Sequence, residues 1–184
     1  MASVRRRGGV VRVRLDGHEP ALVVGLCEHV LDLLGDAPIE ADSLEDLIGT
    51  GDPVERPLDP IVLRLLPDAY RDEPEAADEF RRLTDSGLRR TKGVALHRVI
   101  ADIAAGSPTR GGGLAIDLDD AGCEAWLPAL TDVRLTLGTQ IGVREDMDDE
   151  RANLEPGSRR EAELAAYDWL SWLQDALVQG ASGG

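Results

Sequence analysis

"VVRVRLDGHEPALVVGLCEHVLDLLG", residues 10–35, joins two periodicities through a turn. In its first six residues apolar and basic side chains alternate, the period of a strand with one face buried and the other wet. From Leu22 the spacing changes: Leu22, Val23, Leu26, Cys27, Val30, Leu33 and Leu34 recur at helical intervals until Gly35 ends the run. Asp16 is placed to cap that helix, Glu19 follows three residues later as in a capping box, and Pro20 stands in the first turn, where its missing N–H costs little. The stretch reads as strand, cap and helix, with Cys27 on the apolar face.

The same unit returns later in the chain. "LAIDLD", residues 114–119, alternates like a strand; Asp119 or Asp120 can cap; and Trp126, Leu127, Leu130, Val133 and Leu137 form a stripe that stops at Gly138. Asp16 and Gly35 line up with Asp119 and Gly138 at a constant offset of 103, as do Val30 with Val133 and Leu34 with Leu137. Two short strands are marginal alone in water, so the two are expected to pair as an antiparallel ribbon lying on the helices.

Around these units, "SLEDLIG" (43–49) predicts a short helix, residues 51–60 a Pro-punctuated connector, and residues 59–70 an apolar helical turn stopped by Pro67. Residues 72–106 open with Pro74 and acids and predict one long helix, with a bend or break near Gly87 as the alternative. Residues 107–113 read as a loop, 143–158 as a mobile acidic loop without apolar period, and 159–179 as a closing helix. Residues 1–8 and 180–184 are expected to be disordered tails around a single globular domain spanning 1–184. The fold expected is mainly α: a bundle of about five to six helices with a minor two-stranded β-ribbon formed near 10–15 and 114–118.

Composition agrees with that class. The 184 residues are 42% hydrophobic and 30% charged but only 3% aromatic, so Leu, Val, Ile and Ala must build the core. A formal net charge of −15 repels phosphates on average and disfavours nonspecific binding to nucleic acid or anionic membrane. No apolar run approaches a membrane span, and "MASVRRRGGVVRVRLDG" has no hydrophobic leader segment, so a cytoplasmic protein is expected.

The reactive residues do not assemble into a catalytic motif. Cys27, Glu28 and His29 are consecutive on a helix and point about 100° apart, so they cannot converge on one atom. Cys27, His29, His97 and Cys123 lack metal-ligand spacing, "REDMDDE" reads as solvated loop charge, and "RGGGLAID" precedes a strand where a phosphate loop would follow one. No catalytic, cofactor-binding or metal residue is assigned. Cys27 reads first as a small buried hydrophobe. The sharper alternative is a reversible Cys27–Cys123 bridge: antiparallel packing of the two helices displaces the cysteines by roughly 6 Å along the axis, at the edge of disulfide reach. Cys123, near a helix N-terminus, is the better sensor thiol of the two.

Basic residues gather twice. Arg5, Arg6 and Arg7, with Arg12 and Arg14, form an arm without an acid before Asp16; Arg89 and Arg90 lie among basic and acidic residues on the long helix. Both groups are candidate partner or nucleic-acid contacts, with direct DNA binding disfavoured by net charge. Trp169 and Trp172, at i and i+3, read as core or as a partner-docking ridge.

Three stretches, "LLPDAYRDEPEAADEFRRLTDSGLRRTK", "LTDVRLTLGTQIGV" and "AAYDWLSWLQDALV", resemble an actinobacterial family of small, largely uncharacterised proteins, some described as oxidative-stress regulators (AosR-like). The resemblance spans nearly the whole chain in the same segment order. It implies a regulatory role: redox-dependent transcriptional control through a sigma-factor partner, with Cys27 and Cys123 as the redox candidates. The family's gene neighbourhood beside a Clp protease adaptor implies a second reading, an accessory factor of Clp-type proteolysis. A small hydrolase is a third. Protein contacts, not catalysis, are the expected mode of action, with no cofactor.

Overall fold

The computed structural model describes residues 2–35, 56–69 and 73–182; the helix expected at 43–49 lies outside them. Four strands form one antiparallel sheet in the order β1-β2-β4-β3: β1 Ser3–Arg7, β2 Val10–Leu15, β3 Ser107–Pro108 and β4 Leu114–Leu118. The ribbon expected from sequence is its centre. Val11, Val13 and Leu15 of β2 stand opposite Leu118, Ile116 and Leu114 of β4. Val13 and Ile116 also correspond under the 103-residue offset, so a local two-fold axis passes between β2 and β4.

The outer strands correct the sequence reading. Residues 3–7, expected within a disordered tail, form β1, which turns into β2 through Gly8 and Gly9, both at positive φ (59° and 85°). That conformation suits a two-residue hairpin and is open to glycine at little steric cost. Val4, opposite Val13 on the core face, gives the strand an apolar anchor that a run of arginines conceals in the sequence. β3 pairs with β4 in the same outer position, so the expected two-stranded ribbon is four-stranded: two hairpins side by side.

Six helices are present among the described residues: α1 Glu19–Leu34, α2 Pro60–Leu65, α3 Pro74–Ala104, α4 Asp120–Gln140, α5 Asp148–Ala152 and α6 Arg159–Ser182. The molecule is mainly α. In α1, the Glu19 carboxylate accepts the Asp16 backbone N–H at 2.6 Å, the reciprocal half of a capping box, while the N-cap residue itself is His18. In α4, Asp119 is the cap, accepting from the Gly122 N–H at 2.7 Å. α3 runs unbroken through Gly87 and Gly93. α6 carries residues 180–182, expected in a tail, as its last turn.

α1 and α4 supply matching stripes to the core: Val23, Cys27, Val30 and Leu34 from one, Trp126, Leu130, Val133 and Leu137 from the other. α3 packs on both, and α6 packs on α4 and on β1. The fully buried Trp126 donates its indole N–H to Asp102 at 2.9 Å, so the one large aromatic in the core is not left with an orphan donor. Lys92 of α3 donates to Asp132 of α4 at 2.6 Å in a largely buried pair. Burial raises the Asp132 carboxyl above its ordinary value, and Lys92 pulls it back down.

Residues 143–158, expected as a mobile acidic loop, are braced. Met147 is buried, Asp148–Ala152 form α5, Arg160 donates to Glu150 and to the Ile141 carbonyl at 2.6 Å each, and Arg151 forks onto Asp168 at 2.6 and 2.9 Å. Two charges of this segment are paired across elements, Glu150 with Arg160 and Arg151 with Asp168, while Glu145, Asp146, Asp148 and Asp149 stay exposed.

Candidate functional site

Both thiols are free and buried. Cys27 occupies the α1 stripe at 0% exposure, and burial, with Glu28 beside it, pushes its thiol up to about 12. At neutral pH that leaves roughly one thiolate in 10⁵, the opposite of a primed sensor. Cys123 lies in the first turn of α4 at 4% exposure. Its thiol is also raised, by burial first and then by Asp120 and Asp119, against the smaller opposing pull of Arg6. The helix N-terminus expected to favour a thiolate here is outweighed by desolvation and two neighbouring carboxylates. The structure holds the two cysteines unbridged in the core. Among the described residues, no three His, Cys, Asp or Glu side chains are grouped to hold a metal ion.

The outer face of the first hairpin is different in kind. Strand alternation puts Ser3, Arg5 and Arg7 of β1 on the same side as Arg12 and Arg14 of β2, away from the core. Ser3 stands opposite Arg14, Arg5 opposite Arg12, and Arg7 opposite Val10. Ser3, Arg5, Arg6, Arg7, Arg12 and Arg14 line a groove of about 290 Å³. Among the described residues, one carboxylate is ion-paired with an arginine of this face. Asp117, opposite Arg12 on β4, takes that guanidinium in two parallel hydrogen bonds of 2.6 Å each. The pair holds Asp117 below the usual carboxylate range. Arg5, Arg7 and Arg14 have no ion-pair partner among the described residues. Elsewhere most arginines are matched to acids, as Arg81 with Asp68, Arg89 with Asp85, Arg98 with Asp102 and Arg160 with Glu150, whereas Arg64, Arg90, Arg110 and Arg134 are scattered without an ion pair among the described residues. Placing like charges directly opposite one another weakens a sheet, so packing alone does not account for this face.

The family model described as Domain of unknown function (DUF2017) matches residues 1–181. The chain belongs to the DUF2017 family. Relatives named "Oxidative stress regulator AosR" in Mycobacterium tuberculosis and Mycobacterium bovis are each 35% identical to it, over 94% of this chain and 83% of theirs. Among solved structures, none matches.

This DUF2017 chain distributes the remaining expected contact residues unevenly. Arg6 is used internally: it donates to the carbonyl of Ala181 at 2.9 Å and, more weakly, to that of Gly180 at 3.4 Å, satisfying the C-terminal end of α6. Arg89 is internal as well, donating to Asp85 and to the last carbonyl of α1, Leu34, at 2.5 Å each. It fastens α3 to α1 and is not available as a partner contact. Arg90 is half-buried on the same helix. Trp169 packs against the core and its indole N–H has no acceptor among the described residues, whereas Trp172 is 42% exposed. The two tryptophans are split between core and surface and do not form one ridge. Arg12 and Arg14, expected in the same basic arm, share the outer face with Arg5 and Arg7. Their signal is the alternation of "VVRVRL", which sends them to the side opposite Val11, Val13 and Leu15. No helix among the described residues is long and apolar enough to cross a membrane.

Proposed function

We propose that this protein is a non-enzymatic cytoplasmic regulator of the response to oxidative stress, acting through contacts with other proteins. The observation that carries the reading is the 35% identity, over nearly the whole chain, to relatives named oxidative stress regulators. The arginine-lined groove supports it, because a cluster of unpaired guanidinium groups on a rigid sheet is suited to recognition. The partner we propose is the transcription machinery with its sigma factor. A redox step at the protein itself would fall on Cys123 before Cys27, since Cys27 is wholly buried and ionises only near 12.

Affinity capture with the full chain, in lysate kept oxidised or reduced, tests the proposal. Recovery of sigma factor or polymerase that depends on oxidation is the expected result. Recovery of Clp components alone would move the reading to an accessory of proteolysis, and recovery of neither would end both.

A further inference from the structure

We propose that the outer face of the β1–β2 hairpin docks a short Asp/Glu-rich segment of a partner protein. The proposal deepens the regulatory reading and rests on it only for the existence of a partner; the chemistry comes from the face itself.

The first argument is the internal two-fold. The positions that correspond to Arg12 and Arg14 under the 103-residue offset are Ala115 and Asp117, on the outer face of the second hairpin. The β4 strand is therefore built without arginine at these two positions, and the charges of β2 are not a requirement of the central ribbon; under the same offset Arg5 falls on Pro108 and Arg7 on Arg110. The second is their isolation. The chain has 35 acids against 20 Lys and Arg, yet Arg5, Arg7 and Arg14 meet none among the described residues. The third is a demonstration of fit: Arg12 already grips the Asp117 carboxylate in a fork of two 2.6 Å bonds, so guanidinium groups on this surface reach the geometry that recognises an acid. The fourth is the edge. β1 is the terminal strand of the sheet, and a segment laid along it would present every second side chain to the Arg5 and Arg7 side.

Nucleic acid fits less well. The hairpin strands are five and six residues long, about 20 Å at roughly 3.3 Å per residue. A polyanion running beyond that length meets a chain of net charge −15, at distances within the Debye length of about 8 Å wherever it touches the surface. The other side chains on the face, Ser3, Val10 and Ala115, include no aromatic ring on which a base could stack. A short acidic segment ends where the arginines end.

The test is a titration of the full chain against a fluorescein-labelled peptide of about ten residues alternating Asp or Glu with Ser or Val, long enough to span the strand, read by anisotropy. Saturable binding is expected, weakening about tenfold or more in the Arg5→Ala/Arg7→Ala variant. The Arg5→Lys/Arg7→Lys variant keeps the charge and the fold but loses the fork, and is expected to weaken binding about threefold or more. Arg110→Ala, a single charge loss in the turn of the other hairpin, is expected to leave binding within about twofold. No binding at about 100 μM peptide, equal loss in Arg110→Ala, or displacement of the peptide by a charge-matched DNA duplex at lower concentration would each overturn the proposal. Lysate capture of transcription components that survives Arg5→Ala/Arg7→Ala would overturn it too, while sparing the regulatory reading. Intact peptide binding with no such capture would do the reverse.

Discussion

The half containing β1, β2 and α1 and the half containing β3, β4 and α4 share one backbone plan and differ in what they place on it. Facing inward they agree: Val13 and Ile116 meet at the two-fold, and Cys27 corresponds to Leu130, both at 0% exposure. Facing outward they part. Arg12 and Arg14 correspond to Ala115 and Asp117; at the seam with α3 they part as well, the half-buried His29 corresponding to Asp132, which is buried and paired with Lys92. Where packing decides, the halves keep the same kind of residue. Where they diverge, something other than packing has set the choice.

The largest expected effect breaks the pair found in only one half. Lys92→Met leaves the buried Asp132 carboxylate without its cation and is expected to cost about 3–4 kcal/mol at pH 7, measured by urea unfolding. Burial already raises the Asp132 carboxyl, so the folded state holds a proton that the unfolded chain gives up from about 3.8 upward. The stability this contributes is present below 3.8 and is lost as pH rises through the raised folded value. Lys92→Met should therefore differ from the parent much less at pH 4 than at pH 7; an equal deficit at both would contradict the assignment.

Next comes a glycine with no counterpart. Gly113 corresponds to Val10, and a Cβ there would run into the Leu15 carbonyl and the Asp16 backbone. Gly113→Ala is expected to cost about 3 kcal/mol, while Val10→Ala, on the outer face of the other half, costs less than about 1. Cys27→Ser is expected to cost about 2 kcal/mol, because it buries a hydroxyl where the equivalent position holds Leu130. In the native protein Cys27 should also stay unreactive to iodoacetamide from pH 7 to 9 while labelling promptly in urea, since its thiol ionises only near 12. The smallest effect is the most diagnostic for the surface. Arg5→Ala relieves a like-charge pair across the strands and is expected to leave the melting temperature unchanged or raise it by about 1 °C. A clear loss of stability would mean the arginines serve the fold.

The repeated unit was legible in the sequence because each copy carries both of its periods intact: two between Val11 and Leu15, then 3.6 from Leu22 to Leu34. β1 was not legible, because a strand of three consecutive arginines is held by its neighbours, Val13 on one side and α6 beneath Val4. The bracing of 143–158 was hidden for a related reason, since Arg151 and Asp168 are 17 residues apart in sequence and meet only in the fold. Of the candidate site, Arg5 and Arg7 were readable as a basic cluster. Arg12 and Arg14 were readable beside them from the alternation of their strand; that Arg6 leaves the cluster for the end of α6 follows from register, which composition does not carry.

The contact between Arg6 and Ala181 has a bearing on the order in which the molecule can be made. At that end of α6, Gly180 stands where an added Cβ would lie 3.1 Å from Val11 and 3.4 Å from Val4. The underside of the first hairpin is thus covered by a helix made long after it. During synthesis β1 and β2 emerge early but wait, with their apolar side bare, for a cover some 170 residues downstream. The second hairpin, preceded directly by α3, waits for nothing comparable. The arginine face is presented on a finished surface only once α6 has been made, so a chain that stops short of α6 would display it poorly.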